Sequence, residues 1–121
     1  MIRGTLVCES LRVGSSLDGL DWTIRSIRRV NVPSASSEQP QRWTLFDFEV
    51  ADDAAQRLSE QLAGILDEPG WYVDYSTAWE KFIVFAGRVF RYPLGSAEGR
   101  REAADYARSK GVPEAQLDWP E

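Results

Sequence analysis

The stretch Trp43-Thr44-Leu45-Phe46-Asp47-Phe48-Glu49-Val50 and the residues 51–66 after it decide the fold. The first stretch alternates between apolar and polar positions, as side chains on a strand do, with Phe46, Phe48 and Val50 on one face. In residues 51–66 the apolar period lengthens to three or four, which predicts an amphipathic helix. Its buried stripe would be Ala54, Leu58, Leu62, Ile65 and Leu66.

Similar patterns lie on both sides of this strand and helix. β-prone segments are expected at residues 4–13 and 22–32, the second with Trp22, Ile24, Val30 and Val32 in one register, and then at residues 71–76, 81–86 and 88–92. A second helix should begin after an N-cap at Ser96 and end before Gly111. The order βββα-βββα predicts an α+β fold: a mainly antiparallel sheet of about six strands with both helices packed on one face.

The 121 residues are expected to form a single domain. Residues 31–41 contain two prolines and several serines and glutamines, which predicts a mobile loop. Residues 112–121 are expected to pack back on the body through Val112, Leu117 and Trp119.

The residue counts exclude several kinds of chemistry. Fourteen Lys and Arg against nineteen Asp and Glu give a net charge of −5, which disfavours nucleic-acid binding. Without histidine the chain cannot build a Ser-His-Asp triad, and the single Cys8 cannot build a thiolate zinc site. Phosphate-loop and dinucleotide fingerprints are absent, so no cofactor is predicted. No segment approaches ~20 apolar residues, so we predict a cytoplasmic protein with no membrane partner.

Carboxylates and a tyrosine are the remaining candidates for proton transfer. The catalytic candidates, all in or beside predicted strands, are Glu9, Asp47, Glu49, Asp74 and Tyr72. Two carboxylates close together can split their pKa values or hold a divalent cation. Solvated ion pairs with Arg25 and Arg29 are the simpler interpretation, and no metal-ligand set is predicted.

Arginines offer two further hypotheses. Arg88 and Arg91, with Tyr92, are candidate ligands for a small anion, although arginines lying over an apolar sheet would give the same pattern. A local stripe for nucleic acid would use Arg25, Arg28 and Arg29.

Five tryptophans are many for this length, and Trp43, Trp71 and Trp79 cannot all face a helix-covered side. An interface built from these three and Leu45 is predicted, with a core position or a ligand platform as alternatives.

Residues 4–13 and the stretch from Phe85-Ala86-Gly87-Arg88-Val89-Phe90 to Gly111-Val112-Pro113-Glu114-Ala115-Gln116-Leu117-Asp118-Trp119 resemble a group of small uncharacterised prokaryotic proteins. The resemblance implies a compact domain and assigns no activity and no catalytic residue.

The leading functional hypothesis is a non-catalytic association module. It would bind a second copy of itself, or another protein, through an aromatic and charged sheet face. The alternative is a small-ligand binder or an enzyme with a pocket of carboxylates and tyrosine. Such a pocket could work with or without a divalent cation.

Overall fold

The computed structural model describes residues 1–117 and 119. Six strands and two helices follow one another in the order βββα-βββα, as predicted. They are β1 (Ile2–Val7), β2 (Trp22–Asn31), β3 (Arg42–Val50), α1 (Ala55–Ile65), β4 (Val73–Ser76), β5 (Glu80–Phe85), β6 (Arg88–Pro93) and α2 (Ala97–Ser109). Short 3-10 helices at Cys8–Ser10, Asp52–Ala54 and Glu114–Gln116 join or follow them.

The strands form one sheet in the order β2-β3-β1-β4-β5-β6, and every neighbouring pair is antiparallel. Because β1 is antiparallel to both β3 and β4, those two strands run parallel on either side of it. The crossover through α1 therefore passes over β1. The join between β1 and β4 is narrow, since Gly4 opposite Tyr75 is its one registered pair.

The face of the sheet under α1 carries the larger core. Leu58, Leu62 and Leu66 are buried against alternating residues of β1, β3, β4 and β5. Those strand residues are Ile2, Leu6, Phe48, Val50, Val73, Tyr75, Phe82 and Val84. The helix stripe thus packs as its spacing predicts.

The second helix packs on the opposite face, so the prediction that both helices share one face is wrong. Ile83 and Phe85 of β5 point to α2, while Phe82 and Val84 point to α1. The second core also contains Phe90, Tyr92, Ala103, Ala104, Ala107, Val112, Leu117 and Trp119. A helix on each side explains why β5 is apolar on both faces.

Two strand assignments also need correction. β1 ends at Val7 rather than at residue 13, because Cys8–Ser10 turns away and the Ser10 hydroxyl donates to the Val7 carbonyl at 2.6 Å. In β2 a β-bulge between Ile24 and Ser26 inserts one extra residue. Ile24 lies opposite Phe48 and Val30 opposite Trp43, so these two residues face opposite sides and not one register.

The connections beside the sheet are held by defined contacts. Ser96 caps α2 by accepting a hydrogen bond from the Gly99 amide, as predicted. In the loop between β2 and β3, buried Gln39 donates to the Gly70 carbonyl at 2.9 Å, and the mobility of this loop stays a prediction. Of the tail, residues 118, 120 and 121 lie outside the described residues, while Leu117 and Trp119 are buried.

Candidate functional site

The second face of the sheet is only partly covered. α2 and the tail lie over β5 and β6, whereas no helix among the described elements lies over the same face of β1, β3 and β2. We call the uncovered part the open half-sheet. Its side chains are Arg3, Thr5, Val7, Thr23, Arg25, Ser26, Arg28, Val30, Trp43, Leu45, Asp47 and Glu49.

A groove of about 310 Å³ runs along the edge of the open half-sheet. Val7, Val30 and Leu45 lie on its apolar floor. The wall on the covered side consists of Trp71, Tyr72, Asp74, Ala115 and Gln116. The groove is therefore bounded by the sheet on one side and by the C-terminal tail on the other.

The predicted aromatic interface is brought together in part. The rings of Trp43 and Trp71 lie 5.1 Å apart between centroids, inclined by 57°, and Leu45 lies beside them in the groove. Trp43 is half-buried, whereas Trp71 is only 7% exposed and belongs largely to the interior. Trp79 lies elsewhere, 81% exposed in the turn between β4 and β5.

Asp47 is the most heavily bonded group of the open half-sheet. Its carboxylate accepts hydrogen bonds from Thr5 Oγ1 at 2.8 Å, from Ser26 Oγ, and from Arg28 Nε and Nη2 at 2.7 and 2.9 Å. These donors, Arg28 first, hold the pKa of the Asp47 carboxyl well below its usual range. A carboxylate so held is a weak base, and its geometry is that of a structural cross-link between three strands.

Glu49 forms the next ion pair along β3. Its carboxylate lies 2.9 Å from Arg25 Nε and 3.6 Å from Arg3 Nε. A shallow depression of about 360 Å³ lies beside this pair and Asp47. Both carboxylates therefore face guanidinium groups. The predicted partner Arg25 is confirmed, whereas Arg29 is wrong: the β-bulge turns Arg29 to the other face, and Arg28 takes its place beside Asp47.

Asp74 and Tyr72 are the two catalytic candidates on the groove wall. Asp74 accepts a hydrogen bond from Lys81 Nζ at 2.6 Å, and the Lys81 side chain is only 6% exposed. The Tyr72 hydroxyl donates to the Gln116 carbonyl, and its ring meets Trp119 edge to face at 5.3 Å. Asp74 thus compensates a buried ammonium group, while Tyr72 ties the tail to the sheet.

Glu9 lies away from the other candidates. Its two carboxylate oxygens accept from the amide and the hydroxyl of Thr44, at 2.7 and 3.0 Å. It thereby continues the β1 to β3 pairing after β1 has ended. Across residues 1–117 and 119 there is no group of three or more Cys, Asp or Glu side chains placed to hold a metal ion.

The proposed anion ligands do not converge. Arg88 lies over the rings of Phe90 and Tyr106 on the α2 side, at 4.6 and 5.5 Å. Arg91 faces α1, where Glu80 accepts two hydrogen bonds from it at 2.6 and 2.7 Å. Tyr92 is buried under α2, and its hydroxyl has no partner among the residues described.

The arginines of β2 are divided by the bulge. Arg25 and Arg28 pair with Glu49 and Asp47 on the open half-sheet. Arg29, opposite Thr44, lies on the other face. These three arginines therefore do not form one continuous stripe.

Lys81 and Gln116 are the site residues that the sequence reasoning missed. Lys81 is one of only two lysines and begins an otherwise apolar run, which is a readable sign of a buried pair. No pattern in the sequence around Gln116 predicts its place in the site, because its position on the groove wall depends on how the C-terminal tail folds back.

Comparison of the chain with protein-family models, with curated proteins and with solved structures gives no significant match. The resemblance to small prokaryotic proteins therefore stays a prediction. No helix in the described part of the chain is long and apolar enough to cross a membrane.

Proposed function

We propose that the chain is a non-catalytic association module in which two copies bind each other through the open half-sheet. The observation that carries this proposal is the apolar centre at Trp43, Leu45 and Val30, half-buried on a sheet face that no described helix covers. Protein interfaces commonly have an apolar centre and a polar rim. Here the rim would be the ion pairs of Asp47 and Glu49.

The charges on this face favour a second copy as the partner. Arg25 and Arg28 stand beside Glu49 and Asp47, so the surface carries both signs in short alternation. In a two-fold dimer each copy presents the same patch, and a patch with both signs can place cations against anions. A strongly one-signed face would repel its own copy.

Sedimentation velocity of the untagged protein tests this proposal. We expect a dimer for the natural chain and a monomer for Leu45→Arg, which puts a charge in the apolar centre. Val13→Arg is the matched control, because Val13 is fully exposed outside the groove. A natural chain that stays monomeric at every concentration, or a Leu45→Arg variant that stays dimeric, would contradict the proposal.

A small-ligand site in the same groove is the second candidate. Its support is the concave shape and the presence of Tyr72 and Asp74 on the wall. It is the weaker candidate, since each candidate carboxylate already has a donor. Native mass spectrometry distinguishes the two, because a retained ligand adds mass to the monomer whereas self-association doubles it.

A further inference from the structure

The outer edge of β2 is a second exposed surface, separate from the groove. β2 is an edge strand: it pairs with β3 on one side, and its other side pairs with no described strand. It spans Trp22–Asn31, and nearly all of it is exposed. An edge strand presents outward-facing backbone amides and carbonyls that can pair with another strand.

Apolar side chains flank this edge on the α1 side. Ile24 and Ile27 lie opposite Phe48 and Phe46, which places them on the face of α1. They are nevertheless 38% and 63% exposed. The core under α1 therefore does not cover these two side chains of the outer strand.

Two arginines without a carboxylate partner lie on the same face. Arg29 is opposite Thr44, Arg42 is opposite Asn31, and a depression of about 220 Å³ lies between them. Both arginines are exposed, and no Asp or Glu of the described chain forms an ion pair with either. The nearby Glu9 carboxylate is engaged by Thr44. In a chain of net charge −5, this corner is locally basic.

We propose that the β2 edge binds an extended acidic segment of another protein, which adds to the sheet as a seventh strand. Main-chain hydrogen bonds would supply affinity, as in other cases of strand addition. Apolar residues of the segment would cover Ile24 and Ile27, and its carboxylates would meet Arg29 and Arg42.

A second copy of the chain is the wrong partner for this edge. β2 contains Arg25, Arg28 and Arg29 and no acidic residue. Two such strands placed side by side would bring like charges together, which is destabilising. Nucleic acid is disfavoured as well, because Arg25 and Arg28 are already neutralised and lie on the opposite face of the sheet from Arg29 and Arg42.

A capped synthetic peptide, Thr-Glu-Thr-Glu-Thr-Val-Thr-Val, is the probe for this site. In antiparallel addition its glutamates lie near Arg29 and its valines near Ile27. We expect binding by fluorescence anisotropy, and new protection of alternate β2 amides from hydrogen exchange. The double variant Arg29→Glu/Arg42→Glu should weaken binding roughly tenfold or more, whereas Arg101→Glu, an exposed charge on α2, should not.

N-methylated peptides separate strand addition from simple charge attraction. Methyl groups on one alternate set of amides should abolish binding, and methyl groups on the other set should not. Equal binding of both sets, no binding of the parent peptide, or tighter binding of oligo-dT with a steep salt dependence would each overturn the proposal. The Leu45→Arg variant should bind the peptide as the natural chain does, because Leu45 lies on the other face. The peptide experiment therefore tests the β2 edge independently of the proposed dimer.

Discussion

Trp43 and Trp71 pack against each other across the end of β1, with ring centroids 5.1 Å apart. β1 joins β4 through a single registered pair, so this contact helps to hold the two parts of the sheet together. The same two rings line the groove of the open half-sheet. One aromatic contact therefore serves both the fold and the candidate interface.

The two tryptophans should differ in their effect on stability. Trp71→Ala should lower the free energy of unfolding by about 3–5 kcal/mol, because its ring is buried. Trp43→Ala should cost about 1–2 kcal/mol, since its side chain is only partly buried. Trp79→Ala is the exposed control and should stay within ~0.5 kcal/mol. Urea denaturation measures all three, and equal losses for Trp43 and Trp71 would contradict this ranking.

Asp47 should make the free energy of unfolding depend on pH. Its carboxyl pKa is lowered by Arg28, Ser26 and Thr5, so the folded state favours the charged form. The resulting stabilisation is fully present above the unfolded pKa of about 4, and it is lost as the pH falls towards the folded value. Asp47→Asn should therefore flatten the fall of the urea midpoint below pH 4. Glu102→Gln, an exposed change on α2, should leave that fall unchanged.

Two helical glycines should respond oppositely to alanine. A Cβ at Gly99 of α2 would overlap the ring and Cβ of Tyr92, so Gly99→Ala must displace that side chain and destabilise the protein. A Cβ at Gly64 of α1 would meet nothing within 4 Å, so Gly64→Ala should stabilise by about 0.5–1 kcal/mol. Thermal unfolding of both variants checks this pair. Stabilisation by Gly99→Ala would show that the helix does not approach Tyr92 so closely.

Mutating Asp74 and mutating Lys81 should lower the free energy of unfolding by different amounts. Asp74→Asn leaves a buried ammonium without its counter-charge and should cost roughly 1–3 kcal/mol. Lys81→Met removes the charge and keeps an apolar stem, so its cost should be smaller. The double variant should resemble Lys81→Met alone. Chemical denaturation of the three variants gives the result, and a larger loss for Lys81→Met would reverse the assignment of Lys81 as the buried member.

Most of the fold could be read from the sequence because its strands and helices have clear periods. The alternation in β3 and the leucine stripe of α1 each bury one face, and both were predicted. The face of the sheet on which α2 packs was not predicted. The apolar run of β5 is compatible with helices on one face of the sheet or on both. Only packing of Ala103 and Ala107 against Ile83 and Phe85 decides between them.

The candidate site was less predictable than the fold. Trp43 and Leu45 could be placed together because they share one face of β3. The β-bulge after Ile24 turns the following side chains of β2 to the opposite face from the one that strict alternation predicts. No residue type in the strand indicates that a bulge is present. Tyr72 and Gln116 meet only because the tail returns over β4, a contact between residues far apart in the chain.

An isotope-filtered NMR measurement on a mixture of labelled and unlabelled chains tests the central claim most directly. If two copies bind through the open half-sheet, the methyl groups of Leu45 and Val30 in one chain will show contacts to Trp43 or Leu45 of the other. Intermolecular contacts confined to Ile24 and Ile27, or none in a sample at millimolar concentration, would contradict the account.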